Sequence, residues 1–298
     1  MTGAAFDLGK LKRVRVGWIA DPGTDYVGGA ELTERQFRAE APDWADVVVC
    51  QPPGNVLVAA QLPALVDVWV VHNCTRWNHS IVGSLAGAPV VKYVHDMWPH
   101  GDPRLRRWLL DHAYLVFCSP LHLRDFTYPI TSGPAAPTVL PPAMDLQRFV
   151  DAANAQAAAG TPRHDRALYL AHHLKGAHGA REWAQTAGLH LDLYGLGSLD
   201  LSGVDWDGCT GHGPIDHADV PALMASYQTF VHYPDLPEPF GRTAAEAWAA
   251  GCHVAINDNV GAGWWIANAP QMLAVGKQSE VFWNAIRDLV SLSKGAST

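Results

Sequence analysis

Long hydrophobic runs are missing from this sequence: no stretch approaches the roughly 20 consecutive apolar residues that a membrane-spanning helix needs. Residues 1–12 also lack the apolar centre of a secretory signal, so a cytoplasmic protein is expected. Cysteine is sparse. The five residues (Cys50, Cys74, Cys118, Cys209 and Cys252) lie far apart and never form a C-x-x-C pair, which suggests neither a disulfide framework nor a zinc knuckle. They read as reduced, mostly buried thiols. Positive charge is in deficit, with 21 Lys and Arg against 29 Asp and Glu, and a formal charge of −8 offers no general attraction to a phosphate polymer. Glutamate is scarce too: 22 of the acids are aspartate and seven are glutamate, yet two of the seven stand eight positions apart in PEPFGRTAAEA, residues 237–247.

What is present is enough apolar material, 48% of 298 residues, for two compact domains of about 150 residues each. Twelve tryptophans are several-fold more than usual; most are expected to pack, and a few to stack on flat sugar or base faces. Short β-branched runs at 14–19, 47–49, 68–71, 90–94 and 114–117 alternate with helical stretches. The second half repeats the phrase at 167–170, 189–193, 230–232 and 253–256. Near-continuous apolar strands between helices imply parallel sheets covered on both faces. The expected fold is α/β, two doubly wound Rossmann-like domains facing a cleft at the carboxyl ends of their strands. The boundaries read as 1–150 and 151–298, with the Ala-, Gly- and Pro-rich stretch 151–166 as linker. The helical spacing at 281–290, with Ser279 as its cap, marks a packing helix that could return to the first domain.

In PEPFGRTAAEA, Pro239 and Gly241 make a turn after the strand 230–232, and residues 243–250 read as a helix ended by Gly251. Backbone N–H groups at a helix start, with Glu238 just before it, can hold hydroxyls or an anion. Glu246 lies about one turn further on. Two carboxylates bridged by N–H groups would grip a polyhydroxylated ligand, since carboxylates accept from vicinal hydroxyls. The same letters also fit a plain turn followed by a solvated helix charge, and spacing alone does not separate the two.

Other motifs fall in an order that does. Glu238-Pro239-Phe240-Gly241 with Glu246, then 249–254 and Asp258, resembles the E-x7-E signature of retaining GT-B glycosyltransferases of family 4. Gly28-Gly29-Ala30-Glu31, His95-Asp96, Ser119 and residues 145–149 match in the first half. Lys175-Gly176, the stretch 194–197 containing Gly195, and Gly211-His212-Gly213 before a helix at 220–227 match in the second. The resemblance spans most of the chain. It implies that Glu238 binds donor-sugar hydroxyls with the backbone of Phe240 and Gly241, that Glu246 binds the ribose, and that Lys175 neutralises the leaving diphosphate. Gly28 and Gly29 would bring amides to the same phosphates. His95 would point at the reacting sugar. Gly195 and Gly213 are carried over as donor-site positions.

The chain departs from that pattern at His172, which stands where the family usually has a phosphate-binding arginine; either Arg181 or Arg242 compensates, or the donor grip is weak and pH-sensitive. Asp205-Trp206-Asp207 lies far from the matched motifs, and His172, His173 and His178 lack acidic or cysteine companions at a sensible spacing, so no metal and no resident cofactor are expected. Beside His95 and Asp96, residues 98–108 carry Trp98, Arg104, Arg106, Arg107 and Trp108, either an acceptor-side strip or an amphipathic helix with a solvated basic face. The expected activity is transfer of a sugar from a nucleoside-diphosphate donor to an acceptor that is a glycan, protein, lipid or modified DNA. The alternatives are a transferase specific for hydroxymethylated bases in DNA and, from a different class, a non-catalytic sugar-nucleotide binding module.

Overall fold

The structure is a computed structural model that describes residues 13–21, 28–50, 66–98, 100–130, 133–171, 175–273 and 277–295. The chain divides into two compact units. Unit 1 comprises Met1–Phe117, Tyr128–Ala143 and Ser279–Thr298; unit 2 comprises Cys118–Thr127 and Met144–Gln278.

Unit 1 is built on β1 (Val14–Ile19), β2 (Ala45–Cys50), β3 (Val68–Val71), β4 (Val90–Val94), β5 (Tyr114–Phe117) and β6 (Thr138–Val139). The order across the sheet is β2-β1-β3-β4-β5-β6, and every neighbouring pair is parallel. After β1 the chain moves outward to β2 and then returns to β3 on the other side, which makes the β1/β3 junction the switch point where such folds take ligands. The interior is aromatic: Trp18, Trp69, Phe37, Tyr93, Phe282 and Trp283 are fully buried. Gly17 makes this possible, since a Cβ there would run into the Trp69 ring. The indole of Trp283 donates to the Phe37 carbonyl at 3.0 Å, fixing the helix Lys277–Gly295 onto Gly29–Ala39.

Unit 2 contains β7 (His164–Ala171), β8 (Leu191–Leu196), β9 (Cys209–Ile215), β10 (Tyr227–His232) and β11 (His253–Ile256). Their order is β11-β10-β7-β8-β9, again parallel, with the switch point between β7 and β10. Leu191, Leu193, Tyr169 and Val231 pack against Ala177, Ala180 and Ala184, whose small side chains let the helix Ala177–Thr186 approach the sheet closely. Two doubly wound Rossmann-like units are therefore what the strand runs implied. Among the described residues no helix is long and apolar enough to cross a membrane.

Four local readings need correction. The stretch 151–166 is ordered secondary structure: its alanines continue the helix Gln147–Ala159, stopped by Gly160 at φ +64°, and β7 begins at His164. β9, sequence CTGHGPI, carries no apolar run and was not anticipated. The helix expected at 220–227 ends at Ala225, because Tyr227 already belongs to β10. Ser279 is no cap, since the last helix starts at Lys277 and buries Ser279 within it.

Candidate functional site

The loop between β10 and the helix Arg242–Ala249 is sewn down along its length. Asn257 and Asn259 each donate a side-chain amide to the Pro234 carbonyl at 2.9 Å. The backbone of Glu238 pairs with the chain after β11, its N–H to Asn259 O at 2.7 Å and its carbonyl accepting from Gly261 at 3.2 Å. Ser119 closes the other side by donating Oγ to the Pro239 carbonyl at 2.6 Å. Gly241 then turns the chain into the helix at φ +82°, and a Cβ there would press on Val260 at 2.7 Å and on the Glu238 carboxylate at 3.2 Å. Only glycine meets both demands.

This frame delivers the Glu238 carboxylate, 15% exposed, to the carboxyl end of the switch-point strands. Lys175 Nζ donates to Oε1 at 2.6 Å from the turn after β7. His232, the last residue of β10, meets Oε2 through Nε2 at 2.8 Å. Burial pushes the carboxyl up, but the hydrogen bond and charge of His232, joined by the Lys175 ammonium, outweigh it and hold the group down at about 2. Tyr169 adds a support beneath, its hydroxyl donating to the Lys175 carbonyl at 2.6 Å. Burial, with the Glu238 charge behind it, raises the Tyr169 phenol well above its usual range, so it remains a donor. Gly176 lets the Lys175 turn lie against the Tyr233 backbone at φ +78°, where a Cβ would come within 2.7 Å.

The structure thus brings Lys175 and Glu238 into contact and adds His232 and Tyr169, which sequence reading missed. The available signal was a histidine closing a core strand six residues before the glutamate. Phe240 is buried, and its carbonyl accepts from Ala262 at 2.6 Å. Glu246 is also buried and sits with Arg242 of its own helix at 4.0 Å. Arg181 is held elsewhere, on the Asp207 carbonyl at 3.2 Å. His172 and His173 lie outside the described residues, and His178 stacks on Trp206 at 4.7 Å. Gly195 is needed by its own loop, because a Cβ would strike the Leu199 carbonyl, whereas the same position on Gly213 faces open space.

In unit 1, Gly28 precedes the helix Gly29–Ala39 and donates its N–H to Glu31 Oε2 at 3.0 Å. His95 follows β4, and its Nε2 lies 2.8 Å from Nδ1 of His72, the residue after β3. Burial raises the neighbouring Asp96, opposed by Lys92, His100 and an Asn73 hydrogen bond. Trp98 is 47% exposed. The arginine strip is the amphipathic helix Pro103–His112, with Leu105, Leu109 and Leu110 inward. Its cations already have company: Arg107 pairs with Asp111 at 2.7 Å, Arg106 lies over Tyr128 at 4.6 Å, and Arg104, 70% exposed, reaches Asp102 at 3.9 Å.

No family model matches the chain, and no curated protein does. Among solved structures it is similar to HepE of Anabaena in complex with UDP and glucose, at 15% identity over 95% of this chain and 98% of that one, with a TM-score of 0.57. HepE in complex with UDP-glucose gives 16% identity over the same shares and a TM-score of 0.56. A glycosyltransferase of Rickettsia africae gives 12% over 93% and 90%, with a TM-score of 0.57. At such identities the likeness is one of fold, and what this chain shares with these proteins is a pair of parallel-sheet Rossmann-like units.

Proposed function

We propose that this chain is a retaining, metal-independent glycosyltransferase that uses a nucleoside-diphosphate sugar, of the family 4 type that its E-x7-E stretch resembles. The observation that carries the reading is the ionised Glu238 carboxylate, bracketed by His232 and Lys175 at the β7/β10 switch point. A carboxylate offers about four lone-pair sites, and these two partners leave room to accept from sugar hydroxyls. The Lys175 ammonium has three N–H groups and spends one on Glu238, so the others are available for diphosphate oxygens. Glu246 is assigned to the ribose and His95 to the reacting sugar. The similarity in fold to HepE, whose structures contain UDP and UDP-glucose, supports the ligand class.

As the bond between the anomeric carbon and the phosphate oxygen breaks, negative charge builds on the diphosphate, and Lys175 stabilises it more than the ground state. The acceptor oxygen attacks from the face that the diphosphate leaves, and its proton passes to a phosphate oxygen. Lys175 supplies the charge that a divalent cation would otherwise bring, so transfer should survive chelation. Gly28 would have to release Glu31 before its N–H served a phosphate.

A thermal-shift panel of nucleotide sugars tests the reading, because a ligand that binds only the folded state raises its melting temperature. At least one donor should stabilise the protein and be consumed slowly by hydrolysis without acceptor. A protein indifferent to the whole panel would refute the assignment; stabilisation without any turnover would make it a binding module.

A further inference from the structure

His72 is fully buried in unit 1, sandwiched between Trp18 at 4.7 Å and Tyr93 at 5.6 Å, both rings nearly parallel to its own. Phe37 closes a third side at 6.1 Å. Its Nδ1 faces His95 Nε2 at 2.8 Å, while its own Nε2 is buried without a hydrogen-bond partner among the described residues. Lys92 donates its ammonium to the His72 carbonyl. Burial, with Lys92 and Arg38 adding to it, lowers the His72 pKa well below its usual range and keeps the ring neutral.

A neutral imidazole has one N–H. On Nε2 the proton would be a buried donor with no acceptor among the described residues, whereas a bare lone pair there costs less. The proton therefore sits on Nδ1 and is donated to His95.

We propose that His72 is a positioning residue for His95: it occupies His95 Nε2 as an acceptor and so fixes His95 as the neutral tautomer with its proton on Nδ1. The catalytic consequence rests on the reading above, in which His95 meets the reacting sugar. Two rings held at a set angle by stacking, with one hydrogen bond between them, orient His95 as well as protonate it. A wrong tautomer leaves geometry intact and function impaired.

Two arms test this. Long-range 15N–1H correlation spectra of the full chain near neutral pH should show His72 and His95 both protonated on Nδ1. In His72→Phe, which keeps an aromatic ring between Trp18 and Tyr93, His95 should become a mixture of tautomers. Turnover of His72→Phe should fall about tenfold to a hundredfold with donor affinity little changed. His72→Asn, whose amide nitrogen can stand near the Nδ1 position, should restore most of that loss. A proton on His72 Nε2, or an unchanged His95 tautomer in His72→Phe, would overturn the proposal. So would turnover of His72→Phe within twofold of the wild type. If the wild-type chain transfers no sugar, the functional reading falls and the spectra alone decide the pairing.

Discussion

The two units place a histidine at the same address and give it opposite work. His72 follows β3 in unit 1 and His232 closes β10 in unit 2, each beside the switch point of its own sheet. His72 meets another imidazole and His232 meets a carboxylate. The first pairing carries no ion pair and sets direction: which nitrogen donates and where the ring points. The second sits in an ion-paired cluster with Lys175 and sets charge, holding a mostly buried glutamate ionised. A shared topology fixes where side chains gather, and partner chemistry decides what the gathering does.

The contrast breaks most sharply at Lys175. On the proposed reading Lys175→Ala removes the cation that answers developing charge, so turnover should drop about a hundredfold to a thousandfold, with a smaller change in donor affinity. Single-turnover rates beside donor titrations check this; unchanged turnover with weaker binding would reduce Lys175 to a plain contact.

Acid is the next lever. The Glu238 carboxyl is lowered from 4.5 to about 2 by folding, so its ionised form stabilises the native state fully above pH 4.5, and that contribution is lost as pH falls towards 2. The full shift corresponds to about 3 kcal/mol, an upper figure because Lys175 is 48% exposed and screened by water. Urea melts across that window should show a flatter pH dependence for Glu238→Gln than for the wild type. Equal slopes would mean that the cluster holds no such charge in solution.

The arginine helix is the control with the smallest expected effect. Since Arg104, Arg106 and Arg107 have intramolecular partners, changing all three to Gln should leave transfer and its salt dependence within about twofold. A marked loss of salt dependence would return the strip to the acceptor side.

Much of the framework could be read from letters because its physics is local. β-branched runs such as VRVGWI and VWVV announce buried parallel strands on their own. β9 could not be read this way: CTGHGPI holds two glycines and a proline, and it is a strand because β8 beside it offers a ladder. Residues 151–159 read as part of a linker because alanine marks no buried face, although it is the best helix former. In the site, Glu238 was visible through the turn at Pro239 and Gly241 that opens a helix, and Lys175 through the resemblance of Lys175-Gly176 to the family pattern. His232 was not, for a histidine inside a strand shows its partner only once the loop 233–241 has folded back. His72 was hidden for the same reason, since its pairing with His95 is created by the neighbouring positions of β3 and β4.

On the proposed reading Glu238 grips the sugar and Glu246 the nucleotide. Calorimetric titration of Glu238→Gln and Glu246→Gln with a nucleoside diphosphate and with the intact sugar nucleotide tests it most directly. Glu238→Gln should bind the diphosphate almost as the wild type does, because that ligand has no sugar, while losing the intact donor and its transfer. Glu246→Gln should weaken both ligands by about 1.5 to 3 kcal/mol, roughly tenfold to a hundredfold. Equal losses on both ligands in the two variants would contradict the division of labour and leave PEPFGRTAAEA as a structural turn.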